Sequence, residues 1–155
     1  FSADILLISI STGLLSVAVL HNHMLLDFEC DKINRKTTLC GICKTKQRAL
    51  YLLGIIIFCS YLNICICVIF KLLSPYYLIS LFSLPTAITL YKVMNIHIEN
   101  PETEIVKNIF MGNTKEIEKA PQNQRNFLLK FIIVRNLLSL FTLLICISVI
   151  LSEIL

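Results

Sequence analysis

Two aspartates close to a cluster of basic residues form the strongest chemical signal in the chain. Asp27 and Asp31 are four positions apart, and on a continuing helix this spacing puts both carboxylates on one face, about 5 to 6 Å apart at Cβ. Carboxylates so placed repel each other unless a cation lies between them. Mg²⁺ binds one or two carboxylates and takes its other ligands from water and substrate phosphates. The pair therefore predicts an Mg²⁺ site for a substrate that carries a diphosphate.

Basic side chains follow the aspartates within one or two helical turns. Lys32, Arg35 and Lys36 have the charge to hold phosphate oxygens and to stabilise a departing diphosphate. A simpler alternative is a solvated helix end in which the carboxylates pair with these cations. His21 and His23 are possible ligands, or polar residues at the membrane interface.

The composition places this stretch in a membrane protein. Of the 155 residues, 56% are apolar and 15% are charged, and the mean hydropathy is +0.78. A soluble domain of this size needs more polar side chains to cover its surface. The net charge of +4 is small and localised, and no basic face with interleaved aromatic residues indicates binding to nucleic acid.

Four apolar stretches are each long enough to cross a bilayer, which takes about 20 residues per helix. Their ranges are 5–26, 49–70, 72–94 and 127–151. Only helices satisfy the backbone polar groups of such segments in lipid, so we expect an all-α, multi-pass transmembrane bundle in one domain. Pro75 suits a first helical turn, whereas Pro85 predicts a kink or a break near the middle of the third span.

The basic residues indicate the orientation of the chain. Two stretches, 27–48 and 92–130, contain 12 of the 14 Lys and Arg residues, and cationic loops stay on the cytosolic side. Because four spans put both stretches on one side, the cytosolic loops are expected at 27–48 and 95–126 of a protein in the cell (inner) membrane. In the second loop, Asn100-Pro101 predicts the start of a surface helix.

The aspartate loop resembles the second aspartate motif of the UbiA superfamily of intramembrane prenyltransferases. That motif runs approximately N-N-x-R-D-x-x-x-D-x-x-x-G-K-x-T after an apolar helix. Asp27, Asp31, Lys36 and Thr38 match its positions, and the step from the second Asp to the Lys resembles the MenA branch, the 1,4-dihydroxy-2-naphthoate polyprenyltransferases.

The chain departs from this motif at several positions. His23 and Met24 stand at the Asn pair, Leu26 stands at the Arg, and Arg35 stands at the Gly. The resemblance in motif is confined to about residues 19–39. The order of spans and loops is similar over the whole chain.

The resemblance implies a fold and a function. The fold would be the C-terminal half of a nine-helix bundle, and with half of the site this piece alone is expected to be inactive. The whole protein would transfer a polyprenyl group from its diphosphate to dihydroxynaphthoate in menaquinone biosynthesis. Mg²⁺ would bind to Asp27 and Asp31, the diphosphate would bind to Lys32, Arg35 and Lys36, and Lys36 would help it to leave.

Other functions are compatible with the same residues. One alternative is a UbiA-type enzyme with 4-hydroxybenzoate as its acceptor. Another is a phosphatidyl transferase, although such enzymes place more aspartates and glycines in one helix. A third is a non-catalytic four-helix membrane protein. A transport role gains little support, because the middle of each span offers only Ser, Thr, Asn63 and Cys as polar groups.

Overall fold

The protein is described by a computed structural model that covers residues 3–100, 103 and 105–154. Among these residues every regular element is helical. The α-helices are α1 (Ala3–Leu26), α2 (Phe28–Ile33), α3 (Leu39–Ile42), α4 (Lys46–Ile69), α5 (Leu84–Glu99), α6 (Lys115–Glu118) and α7 (Gln122–Ile154), and 3₁₀ segments occupy Pro75–Ser83 and Ile109–Met111. Four apolar spans of sufficient length confirm the all-α, multi-pass transmembrane bundle.

Helices α1 and α4 pack along their length and are joined by polar groups inside the apolar interface. Ser11 Oγ donates to the carbonyl of Ser60 at 2.9 Å, and Ser60 Oγ donates back to the carbonyl of Ser11 at 2.8 Å. Asn63 Nδ2 donates to the carbonyl of Leu7 at 3.0 Å. Such bonds between transmembrane helices contribute about 0.6 kcal/mol each, and here they fix how far α1 is shifted along α4.

The third span consists of a 3₁₀ segment followed by an α-helix. Tyr77, Ser80 and Ser83 are buried at intervals of three residues, which is the repeat of a 3₁₀ helix. The Ser80 hydroxyl donates to the carbonyl of Tyr77, and the Ser83 hydroxyl donates to that of Ser80, both at 2.7 Å. Pro85 lies in the first turn of α5, so the predicted break at this proline is confirmed.

The spans differ from their expected limits at several ends. The third runs from Pro75 to Glu99, because Leu72 and Leu73 belong to the turn after α4, and α7 begins at Gln122. Asn100 ends α5 rather than starting a helix, so that prediction is wrong for Asn100. Residues 101, 102 and 104, on which the remainder of the proposed helix falls, lie outside the described part of the chain.

Both basic loops lie at the same end of the bundle. Gln47 at the start of α4 reaches Asn95 near the end of α5, with 3.5 Å between the side-chain amide nitrogen and oxygen. At this end the buried ammonium of Lys130 on α7 contacts His97 Nδ1 of α5 at 2.6 Å. The contacts bring the segments that follow α1 and α5 to one surface.

Candidate functional site: a cationic groove after the first span

A groove of about 490 Å³ lies between the two short helices that follow α1. Four cationic side chains and one carboxylate line it: Lys32, Arg35, Lys36, Lys44 and Asp31. Its other lining residues are Phe28, Thr37, Thr38, Gly41 and Ile42. The excess of positive charge makes the groove suitable for an anion.

The turn that ends α2 places three of these residues on the groove. The amide of Lys36 donates to the carbonyl of Asp31 at 2.9 Å, and the amide of Arg35 donates to that of Lys32 at 3.2 Å. These are the two hydrogen bonds of a Schellman motif. In this motif the first residue after the helix C-cap adopts the left-handed conformation, which favours glycine. Arg35 fills that position with a φ of 52°, so the Gly of the resembling motif falls where the backbone favours glycine.

Among the described residues, Asp31 is the one carboxylate that lines the groove, and it is paired with a cation. Its Oδ1 lies 3.3 Å from the ammonium of Lys36. The Asp31 side chain is 12% exposed and that of Lys36 is 64% exposed. Lys36 therefore partly neutralises Asp31 while its own ammonium stays accessible to a ligand.

Helix α3 supplies the opposite wall of the groove. Thr38 is its N-cap, and its hydroxyl accepts a hydrogen bond from the amide of Gly41 at 3.2 Å. After α3 the chain turns through Lys44, whose φ is 65°. Thr38 thus lines the groove, while its oxygen also holds the fold of α3.

The base of α3 is held by a buried contact with α1. Cys40 Sγ lies 3.6 Å from His21 Nδ1, and His21 Nε2 lies 2.8 Å from the carbonyl of Ala49. Burial, with smaller contributions from Cys43 and Asp31, raises the pKa of the Cys40 thiol to about 12. The thiol is therefore neutral at physiological pH, and Cys40 has a structural role.

Asp27 does not line the groove with Asp31. Backbone hydrogen bonds link the amide of Asp27 to the carbonyl of His23 at 3.0 Å and the amide of Asp31 to that of Asp27 at 2.9 Å, so helical spacing continues through the junction of α1 and α2. The side chain of Asp27 is exposed. The backbone part of the prediction is confirmed, but only one of the two carboxylates reaches the groove.

His23 is also outside the groove. Its ring stacks on Phe131 of α7, with the centroids 4.4 Å apart and the planes within 12°. The Nε2 atom is buried and has no hydrogen-bond partner among the described residues. Aromatic packing between α1 and α7 accounts for this position.

The donor chemistry of Asp27 and Asp31 is compatible with Mg²⁺ only in a partly hydrated site. No group of three or more His, Cys, Asp or Glu side chains is arranged to hold a metal among residues 3–100, 103 and 105–154. Two carboxylates one helical turn apart, one in water and one on the groove, fit an ion that completes its shell with phosphate and water oxygens. Any such ion depends on the substrate for most of its ligands.

Lys44 is a groove residue that the sequence pattern missed. It is 13 positions after Asp31 and reaches the groove because α3 folds back towards α2. Glu29, which points away from the groove, pairs instead with Lys46, with 2.9 Å between Oε1 and Nζ. This hydrogen bond and the charge of Lys46 lower the pKa of Glu29. The ion pair joins α2 to the start of α4.

No family model, curated protein or solved structure matches the chain.

Proposed function

We propose that the chain is part of a membrane-embedded prenyltransferase and that its cationic groove binds the diphosphate of a polyprenyl donor. The observation that supports this proposal best is the meeting of Lys32, Arg35, Lys36 and Lys44 in one groove with a single carboxylate. The groove directly follows a membrane span. A donor bound there has its diphosphate in water and its polyprenyl chain in the bilayer.

The groove residues suit both binding and departure of the diphosphate. Arg35 presents a planar guanidinium that can bond two phosphate oxygens, and the lysines act as point charges. As the allylic carbon–oxygen bond breaks, negative charge grows on the diphosphate. Lys36 is placed to stabilise that charge once it releases Asp31. Mg²⁺ held by Asp27, Asp31 and the diphosphate would add further charge neutralisation when bound.

The proposed acceptor is dihydroxynaphthoate, and it follows only from the resemblance to the MenA branch. A UbiA-type enzyme with 4-hydroxybenzoate as its acceptor remains the alternative. The Asp31–Lys36 contact and the position of Asp27 outside the groove favour a second candidate, a membrane protein that binds a lipid diphosphate without chemistry. Binding and turnover measured separately distinguish these functions.

The proposal is tested by donor binding to the protein in nanodiscs, with a fluorescent prenyl diphosphate and with and without Mg²⁺. We expect Lys36→Gln to weaken binding roughly tenfold, because a charge-assisted hydrogen bond contributes about 1.5 kcal/mol. Lys71→Asn is the matched control, since it removes one charge at the opposite end of the bundle and Asn tolerates the φ of 56° there. If Lys36→Gln and Lys71→Asn bind the donor equally well, the groove is not the binding site for the diphosphate.

Turnover is then measured with the complete protein and dihydroxynaphthoate. Asp31→Asn is expected to abolish Mg²⁺-dependent prenyl transfer while membrane insertion is unchanged. Donor binding without product in the unaltered complete protein would establish the non-catalytic function instead.

A further inference from the structure

Lys92 is an ionisable residue about two helical turns from the end of a membrane span. It lies seven residues before the end of α5 at Glu99, or about 10 Å along the axis. Its side chain is exposed, and no acidic side chain among the described residues lies within 4 Å of its ammonium. A charge at such a depth normally has a functional partner, and here the described protein residues do not supply one.

An apolar groove of about 500 Å³ lies on one side of Lys92. It runs between α4 and the third span, past Gly54, Tyr61 and Leu84. A Cβ atom on Gly54 would be only 2.9 Å from the ring of Tyr91, so the glycine allows the ring to lie against α4. Lys92 is at the end of this groove nearer the basic loops.

A second groove of about 560 Å³ lies on the other side of the same lysine. One wall is α5, and the other is the loop around the short 3₁₀ segment, which includes Val106, Phe110 and Met111. Val106 is 84% exposed although it is apolar. The two grooves share Ile88 and Lys92, which form a ridge between them.

The loop that walls the second groove is fixed to the side of α7. Asn136 Nδ2 on α7 donates to the carbonyl of Met111 at 2.8 Å and to that of Asn113 at 3.2 Å. Asn136 lies inside the fourth span. A segment expected from its sequence position to lie in the cytosol therefore presents apolar side chains beside a span.

We propose that Lys92 and the grooves on its two sides form a binding site for one anionic diacyl phospholipid. Each groove takes one acyl chain, and the ammonium of Lys92 binds the phosphate. Charge complementarity supports this occupant, because the lysine has no carboxylate partner among the described residues and lies at the level where its side chain extends to lipid headgroups. The proposal concerns different residues from the diphosphate groove and does not depend on that function.

The test is native mass spectrometry of the detergent-purified chain with phosphatidylglycerol and with phosphatidylcholine of the same acyl chains. We expect phosphatidylglycerol to bind roughly fivefold more tightly. Lys92→Gln is expected to abolish this preference and Lys92→Arg to retain it. Lys115→Gln removes an exposed charge from the start of α6 and is expected to leave the preference unchanged. A preference that survives in Lys92→Gln, or that is absent from the unaltered chain, would overturn the site.

A photoreactive acyl chain tests the location in the unaltered protein. Adducts are expected on residues 84–92 and 105–111. Adducts spread evenly over all four spans would show ordinary lipid contact and contradict the proposal. Retention of a single-chain polyprenyl phosphate in preference to phosphatidylglycerol would also overturn it, because the two grooves are assigned to two chains.

Discussion

Arg35 occupies a backbone conformation that suits glycine, and this has a measurable effect on stability. A non-glycine residue in the left-handed region is strained by about 1 to 2 kcal/mol. Substitution by glycine removes this strain, but the greater conformational entropy of glycine in the unfolded chain offsets part of the gain. We expect Arg35→Gly to raise the free energy of unfolding by about 0.5 to 1 kcal/mol. Unfolding of the detergent-solubilised protein in SDS measures this change.

The same substitution separates the backbone role of position 35 from its charge. Under the proposed function, Arg35→Gly should bind prenyl diphosphate more weakly although it is more stable. Lys36→Gly is the control, because φ at Lys36 is not positive and its ammonium pairs with Asp31. Lys36→Gly should therefore lower the free energy of unfolding. A lower free energy of unfolding for Arg35→Gly would show that its guanidinium makes a stabilising contact that outweighs the strain.

The sequence predicted the groove in part. Asp31, Lys32, Arg35, Lys36 and Thr38 are close in sequence and come together because α2 and its turn are local structures. Asp27 lies outside the groove, because i, i+4 spacing sets only the backbone relation, whereas tertiary contacts decide which side chains reach a groove. The position of the His23 ring depends on its stacking against Phe131, which is 108 positions away. No local pattern reveals such a contact.

At the scale of the elements, two glycines in transmembrane helices make different demands on their surroundings. A Cβ at Gly54 would be 2.9 Å from Tyr91 Cε2, whereas a Cβ at Gly13 meets no atom within 4 Å. Overpacking of this kind costs about 1 to 3 kcal/mol. We expect Gly54→Ala to lower the free energy of unfolding by that amount and Gly13→Ala to leave it unchanged or slightly raised.

Unfolding in SDS gives both values, and a second variant identifies the cause. If the ring of Tyr91 is responsible, most of the cost of Gly54→Ala disappears in a Tyr91→Ala background, because the two changes are then coupled. Equal effects of the two glycine substitutions would contradict close contact between α4 and α5.

Hydropathy and proline predicted the existence of the elements, but not their internal form. The apolar stretches and Pro85 were sufficient for four spans and one break, because lipid imposes helical structure on any long apolar segment. The 3₁₀ form of Pro75–Ser83 depends on partners that local sequence does not contain. Tyr61 OH lies 2.6 Å from Ser83 Oγ, and Ser148 Oγ donates to the carbonyl of Tyr76 at 3.0 Å.

At the scale of the whole molecule, the fold brings the two basic loops to one end and leaves the turn after α4 at the other. At the basic end, the Gln47–Asn95 contact joins the start of α4 to the end of α5. Lys71, at the opposite end, follows the last turn of α4 with a φ of 56° and is exposed. We predict from the distribution of Lys and Arg that the basic end faces the cytosol.

An impermeant maleimide tests this orientation in intact cells, because Cys30 is an exposed thiol on α2 and a Lys71→Cys variant adds one at the other end. Cys30 is expected to react only after the membrane is permeabilised, and the thiol introduced by Lys71→Cys to react before. Peptide mapping identifies the modified thiol, and Cys40 is the internal control, since its buried, high-pKa thiol should stay unmodified in both conditions while the protein is folded. Labelling of Cys30 in intact cells would show that the basic end faces away from the cytosol. It would also place the cationic groove on the side away from cytosolic prenyl diphosphate and so contradict the proposed function.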